Sequence, residues 1–124
     1  MDKHVCWLGW QDKAYKFIGA ADIISLTSRW EGLPYVLLEA MAWSRPVVTT
    51  AVNACPEIVK HGITGYIVPQ SDVVAWANYV IKLLENPEQS VDMGQRGNEL
   101  VIEEFSLQKM IDQIQRLYDR LILN

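Results

Sequence analysis

Two glutamates, Glu31 and Glu39, stand eight residues apart in a stretch that predicts the end of a strand and the start of a helix. If the whole span were helical, they would be separated by roughly 12 Å along the helix axis. A diphosphate with a sugar on one side and a ribose on the other has a similar reach, so each carboxylate could accept hydrogen bonds from sugar hydroxyls. Glutamates also favour helix starts and solvated helix faces. On spacing alone, both interpretations stay open.

The residues around Glu31 favour a ligand at this point of the chain. Gly32 allows the backbone to approach a ligand closely, and Pro34 is tolerated in the first turn of a helix. That first turn offers unpaired N–H groups and the positive end of the helix dipole, which together suit a phosphate. In open α/β sheets, ligands bind beyond the carboxyl ends of the strands, where this segment is expected to lie. The pattern therefore fits a nucleotide sugar.

Short apolar runs alternate with helical patterns along the chain, which predicts parallel β-α units with both faces of the sheet covered. Asp72 and Ser106 are predicted to cap the helices that follow them. We therefore expect an α/β fold with a parallel sheet of about four strands and a C-terminal helical tail. The predicted strands are Val5–Leu8, Ile23–Leu26, Val47–Thr50 and Gly65–Val68. The predicted helices are Asp12–Ala21, Pro34 to about Trp43, Pro56–His61, Val73–Glu85, Val91–Glu104 and a final helix from Leu107.

The composition restricts the partners of this chain. Its 124 residues are 50% hydrophobic and 21% charged, with a net charge of −4. This is typical of one soluble domain and gives no basic surface for nucleic acid or anionic lipid. No stretch approaches the roughly 20 apolar residues of a membrane span, and the start lacks the apolar core of a signal peptide. We expect a cytoplasmic protein that binds no nucleic acid.

The cysteines and histidines do not predict a metal site. Cys6 lies in an apolar run and is expected in the core, whereas Cys55 is expected in a loop. Neither His4 nor His61 stands at ligand spacing from a cysteine, so a zinc site is not expected. Free thiols suit a reducing compartment.

The segment from Glu31 to Glu39 resembles the E-x7-E motif of the family-four GT-B retaining glycosyltransferases, and the resemblance extends over essentially the whole chain from Val5 onward. It implies a partial doubly wound, Rossmann-like sheet. Residues 1–124 would then be a fragment of the C-terminal, nucleotide-sugar-binding (donor) domain, without the N-terminal acceptor domain and the first donor-domain strands. The flanking matches are Ala21-Asp22, Pro46-Val47-Val48, Pro56-Glu57-Ile58-Val59, Gly62-x-x-Gly65-Tyr66-Ile67-Val68-Pro69, Asp72 and Phe105-Ser106.

The resemblance implies a role for each candidate site residue. Glu31 would be the catalytic residue that engages the hydroxyls of the transferred sugar, and Glu39 would bind the ribose hydroxyls. Backbone amides around three residues of the motif would face the sugar and the diphosphate, and the turn that contains Gly9 and Trp10 would lie beside the nucleobase. Trp10 as a simple surface or core aromatic remains an equally good interpretation. No metal and no other cofactor are implied. The three motif residues are Gly32, Leu33 and Pro34.

Two segments depart from the family pattern. Ser44-Arg45 stands where the family usually has a small residue and a glycine, and Asn53-Ala54-Cys55 replaces the usual glycine-rich turn before Pro56-Glu57. The second departure puts the backbone geometry of that turn in doubt.

The implied activity is retaining transfer of a sugar from a nucleoside-diphosphate sugar to an acceptor hydroxyl, in polysaccharide or glycolipid synthesis. A nucleotide-sugar epimerase or phosphorylase of the same fold, or a non-catalytic nucleotide-binding or assembly module, remains an alternative. The family's basic residues for the diphosphate lie in the loop of the missing first strand, so this fragment is expected to bind donor weakly and to be inactive alone. The carbohydrate or lipid-linked acceptor would bind through the missing domain, and the parent enzyme could be peripheral at the inner face of the membrane.

The expected truncation has a consequence for the sheet. In a sheet of order 3-2-1-4-5-6, Val5–Leu8 as the third strand would lose its neighbour, and Ile23–Leu26 would have an open edge. We therefore expect one of two outcomes. Either Val5–Leu8 moves beside Ile23–Leu26, or two copies associate through the open edge.

Overall fold

The computed structural model describes residues 3–122. Within that range, three strands form one parallel sheet of order β1-β2-β3: β1 (Ile24–Leu26), β2 (Val47–Thr50) and β3 (Gly65–Val68). The register pairs Ile24 with Val47, and Thr50 with Val68. The α/β class is confirmed. The helices are α1 (Tyr15–Ala20), α2 (Tyr35–Ala42), α3 (Cys55–Ile58), α4 (Val73–Glu85), α5 (Pro87–Glu104) and α6 (Leu107–Ile122).

The central strand is buried on both faces, which explains its unbroken β-branched sequence. Val47 packs in one core cluster with residues of α2 and α3, including Leu37 and Ile58. Val48 points to the opposite face, because successive side chains of a strand alternate, and it packs in a second cluster with Leu83 of α4. The sheet thus has apolar helix contacts on both sides, and its carboxyl edge is left for the polar loops.

Helix α2 ends in a Schellman motif, in which the N–H groups of Ser44 and Arg45 donate to the carbonyls of Met41 and Ala40, each at 2.9 Å. Ser44 has a φ of 54°, in the left-handed region that favours glycine. Ser44 belongs to the first segment that departs from the family pattern. At this first departure from the family pattern, the helix still ends in a residue with a left-handed backbone, and that residue is a serine.

The prediction of a strand at Val5–Leu8 is wrong. The segment forms no strand in the described structure and is exposed, with Trp7 at 76%. Among the described residues β1 pairs with β2 alone, so the expected move of this segment beside β1 does not occur. An apolar run shows what could be buried, but a strand also needs a neighbouring backbone to hydrogen-bond with. The sheet has three strands in the described range, where about four were expected.

The two cysteines exchange their expected environments. Cys6 is exposed, because the strand that would have buried it does not form. Cys55 is the first residue of α3 and is fully buried, because this helix begins one residue earlier than predicted and turns the thiol into the core. Among the described residues both are free thiols.

Helix limits differ from the predictions where a cap or a turn competes with the periodic pattern. Helix α1 begins at Tyr15 and not at Asp12, and α3 ends at Ile58 and not at His61. Asn86-Pro87 ends α4 as predicted, but Pro87 also begins α5, four residues before the predicted start. Proline suits a first helical turn because its missing N–H has no partner there.

Strands β2 and β3 and helix α4 have the predicted limits. Asp72 caps α4 by accepting a hydrogen bond from the Ala75 N–H at 2.9 Å. Ser106 accepts one from the Lys109 N–H at 3.3 Å before α6. Helix α6 is strongly amphipathic, yet within the described residues its apolar stripe is exposed along its whole length.

Candidate functional site

The segment of residues 27–34 connects the carboxyl end of β1 to the start of α2. Glu31 lies in this loop, three residues before Pro34, and its side chain is partly buried. Glu39 lies on α2 and is exposed. Glu31 is thus outside the sheet, and Glu39 is not in the apolar core. This placement is the one that the donor-site hypothesis requires, while the roles of the two glutamates stay predictions.

Side-chain hydrogen bonds hold the loop around Glu31, and three of them involve Ser28 or Glu31. Ser28 Oγ donates to Glu31 Oε1 at 2.5 Å, and Asn53 Nδ2 donates to the backbone carbonyl of Glu31 at 2.5 Å. From the end of β2, the buried Thr50 Oγ1 donates to the Ser28 carbonyl at 2.6 Å. The end of β2 and the turn after it therefore hold Ser28 and Glu31, the first and last residues of the tetrapeptide that contains the candidate catalytic carboxylate.

Sequence reasoning did not find these three supporting residues. Ser28 follows β1 and Thr50 ends β2, so both lie at the same edge of the sheet. This shared position is the feature of the sequence from which their contact could have been predicted. Asn53 lies in the turn that departs from the glycine-rich family pattern, and its φ of 41° is again in the left-handed region. Asparagine tolerates that region better than most residues, so the turn keeps the conformation a glycine would adopt.

The start of α2 is open toward solvent. Pro34 is the N-cap residue, and no described side chain caps this terminus or places a carboxylate in its first turn. Apart from Gly32 and its two neighbours in the chain, no described residue has an atom within 4 Å of the position that a Cβ on Gly32 would occupy, and Leu33 is half-exposed. Pro34 has no N–H to donate, so the amides available to an anion are those of Gly32, Leu33 and the first residues of α2. This geometry suits a phosphate group.

The turn predicted to lie beside the nucleobase is exposed and held by local hydrogen bonds. Gly9 has a φ of 63°, Trp10 Nε1 donates to Asp12 Oδ1 at 3.0 Å, and Gln11 Nε2 donates to the Leu8 carbonyl at 2.7 Å. The Trp10 side chain is 90% exposed, so it is not the core aromatic that was one alternative. Contact of Gly9 or Trp10 with a base stays a prediction.

A cavity of about 400 Å³ opens at the same carboxyl edge, next to the Glu31 loop. Ser28 and Thr50 belong to its lining, whereas Glu31 and Glu39 are not among the described residues that line it. Gln70 Nε2 donates to the Arg29 carbonyl, and Trp76 Nε1 donates to Ser25 Oγ at 2.6 Å. Arg29 and Gln70 both line the cavity.

Residues 3–122 contain neither a metal-binding cluster nor a membrane-spanning helix. In that range, no group of three or more histidine, cysteine, aspartate or glutamate side chains is arranged to hold a metal ion. None of the helices described has the length and apolar character needed to cross a membrane.

The parallel sheet and the polar loop at its carboxyl edge define an open α/β domain whose ligands bind beyond the strand ends. The model of the family described as glycosyl transferases group 1 matches residues 1–100. The chain belongs to that family, and the resemblance noted from the E-x7-E segment and its flanks is confirmed.

Individual relatives extend this finding. The chain is 36% identical over 118 residues to the N-acetyl-alpha-D-glucosaminyl L-malate synthase of Bacillus anthracis, covering 95% of this chain and 31% of that protein. It superposes on sucrose-phosphate synthase from Thermosynechococcus elongatus with a TM-score of 0.79 and 31% identity, covering 86% of this chain and 27% of the other. The Anabaena protein HepE, solved with UDP and glucose, gives a TM-score of 0.88 at 22% identity over 96% of this chain and 33% of that one. The chain thus spans about a third of the length of these proteins.

Proposed function

We propose that this chain is the donor-binding portion of a retaining glycosyltransferase. The enzyme would transfer a sugar from a nucleoside-diphosphate sugar to an acceptor hydroxyl in polysaccharide or glycolipid synthesis. The observation that carries the proposal is the placement of Glu31 in the loop after β1 and of Glu39 on α2, before and after the start of that helix. Membership of glycosyl transferases group 1 supports it, as does the solved complex of HepE with UDP and glucose.

In the proposed complex, the diphosphate of the donor lies over the first-turn amides of α2, whose positive dipole end favours its charge. The ribose hydroxyls donate to Glu39, and the hydroxyls of the transferred sugar donate to Glu31. The acceptor hydroxyl attacks the anomeric carbon from the face that the diphosphate leaves, and its proton passes to the departing diphosphate oxygen as the bond from that oxygen to the anomeric carbon breaks. The helix amides stabilise the charge on the departing diphosphate. No step in this scheme needs a metal ion.

The charge of the chain indicates that the complete enzyme supplies further groups. The net charge is −4, so the basic side chains, among them Arg29 and Lys13, are outnumbered by acidic ones, and this chain alone would neutralise a bound diphosphate poorly. We therefore propose that basic residues outside these 124 complete the diphosphate site, and that the acceptor binds to another domain.

The reaction is proposed to take place in the cytoplasm, with the complete enzyme peripheral at the inner face of the membrane. The free state of both cysteines in the described chain suits a reducing compartment.

The test is an assay of the full gene product with radiolabelled nucleotide sugars. Glu31→Gln is expected to abolish most transfer, whereas Glu39→Gln is expected to raise the KM for the donor roughly 10- to 100-fold, as for loss of a hydrogen bond to a charged group. Glu103→Gln is the matched control, because this exposed glutamate of α5 has no place in the proposed site.

Three results would contradict the proposal in different ways. Absence of transfer and of donor hydrolysis with every nucleotide sugar would refute a glycosyltransferase. Interconversion of the donor sugar without an acceptor would indicate an epimerase. If the protein binds nucleotide, and neither glutamate variant changes its measured activity or its nucleotide binding, the result would indicate a non-catalytic module.

A further inference from the structure

The candidate catalytic carboxylate lies in a loop that has no regular hydrogen bonding of its own. Residues 27–34 lie between β1 and α2, and within them Glu31 is four residues before the first residue of the helix. A functional group on such a loop keeps a fixed position only if side chains from neighbouring elements hold the backbone. The contacts that the loop makes with other parts of the chain therefore determine where the carboxylate points.

Asn53 holds the backbone of the residue that carries the carboxylate. Its side-chain amide donates to the backbone carbonyl of Glu31 itself, across 22 residues of sequence. Ser28 holds one carboxylate oxygen, and Thr50 holds the backbone of Ser28. The Asn53 contact is thus one of three that together leave the Glu31 backbone and one oxygen fixed, while the other carboxylate oxygen has no hydrogen bond in the described structure.

The turn that contains Asn53 is itself fixed to the sheet. The Ala51 N–H donates to the Val68 carbonyl of β3 at 2.8 Å, and the Cys55 N–H donates to the Val52 carbonyl at 2.9 Å. Cys55 is fully buried. Asn53 thus lies in a turn that these hydrogen bonds anchor, and its side-chain amide holds the Glu31 loop against that turn.

Asparagine meets two requirements at this position. Its backbone adopts the left-handed conformation, as glycine would, and its side chain donates a hydrogen bond, which glycine lacks. We propose that Asn53 is a positioning residue that holds the Glu31 carboxylate against the sugar of the donor. This inference rests on the proposed function and adds to it a residue that the E-x7-E segment does not contain.

Two variants separate the side chain from the backbone. Asn53→Gly keeps the left-handed turn and removes only the amide donor, so the fold is expected to be retained. Asn53→Asp keeps the size and the turn preference but replaces the donor with a negative carboxylate against the Glu31 carbonyl. The matched control is Ser44→Gly, which makes the same kind of change at the other end of α2, at another residue with a left-handed backbone.

The assay uses the full gene product and measures kcat, the donor KM and the Kd for UDP. Loss of one neutral hydrogen bond corresponds to a roughly 3- to 10-fold effect. Asn53→Gly is therefore expected to lower kcat by about that factor and Asn53→Asp by more, while the Kd for UDP, which lacks the sugar, stays within about twofold of wild type. A general loss of structure would weaken UDP binding as well. Ser44→Gly is expected to leave all three constants unchanged.

The outcomes distinguish this inference from the proposed function. An active wild-type enzyme whose Asn53→Gly and Asn53→Asp variants keep wild-type kcat would overturn the positioning role and leave the proposed function standing. A parallel loss of UDP affinity and kcat in both variants would also overturn it, since Asn53 would then act only through general stability. A wild-type protein that transfers no sugar would remove the proposed function and the positioning role together.

Discussion

Replacing Gly94 with alanine tests the packing of α5 on the end of α2. A Cβ at Gly94 would lie 2.1 Å from the Ser44 carbonyl oxygen and 2.7 Å from the Ser44 carbonyl carbon. An ordinary contact between such atoms is about 3.5 Å, so the methyl group would be more than 1 Å too close. The contact is with backbone, and the Schellman motif holds that backbone by two hydrogen bonds from Ser44 and Arg45. The segment therefore cannot move without breaking them.

The expected loss of stability follows from these terms. Overpacking costs about 1–3 kcal/mol and sometimes more, and each hydrogen bond lost at the helix end costs about 1 kcal/mol. The better helix propensity of alanine offsets about 1 kcal/mol of this. We expect Gly94→Ala to lower the free energy of unfolding by about 2–4 kcal/mol. In urea, with a slope of about 1–3 kcal/mol/M, the midpoint would fall by about 1 M or more.

Gly97→Ala is the matched control on the same helix. Its nearest contact would be the Met41 side chain, with Cγ at 3.2 Å, and a flexible methionine can adjust. We expect the unfolding free energy of Gly97→Ala to stay within about 1 kcal/mol of wild type, because the propensity gain and the tight contact nearly cancel. Urea unfolding followed by far-UV circular dichroism measures both variants. Equal midpoints for the two would refute the reasoning, since the argument depends on contact with backbone in one case and with a side chain in the other.

Three further predictions concern the helix end, the donor and the sheet edge. Ser44→Gly should raise the free energy of unfolding in urea by about 0.5–1 kcal/mol, because it removes the cost of a left-handed serine. Ser90→Gly, inside α5, should lower it by a similar amount. Isothermal titration of the 124-residue chain with UDP, GDP and their sugars should give millimolar binding or none, because the diphosphate contacts proposed for basic residues outside these 124 would be absent, and two such charge-assisted contacts contribute roughly 3–6 kcal/mol. Micromolar binding would show that this reasoning overvalues them. Sedimentation should show self-association through the open edge of β1, since Val5–Leu8 does not cover it, and a monomer at high concentration would contradict this.

The elements that could be predicted from the sequence are those in which backbone preference, caps and apolar periodicity indicate the same structure. The β-branched run Val47–Thr50 and the segment Gly65–Val68 form the predicted strands, and Asp72 with Asn86-Pro87 sets the limits of α4. The sequence also placed Glu31 before the helix that contains Glu39. These features depend on backbone preferences, caps and apolar periodicity, all of which act over a few residues.

Tertiary structure alone decided the features that depend on a distant neighbour. Val5–Leu8 has the composition of a strand but no backbone beside it among the described residues, so it stays exposed and takes Cys6 with it. The hydrogen bond from Asn53 to Glu31 and the close approach of Gly94 to Ser44 join residues 22 and 50 positions apart. No local pattern encodes such contacts, because they arise only when the sheet order and the helix packing bring separate segments together. The candidate site residues were therefore named from the sequence, whereas the side chains that hold their loop in position were found only in the folded chain.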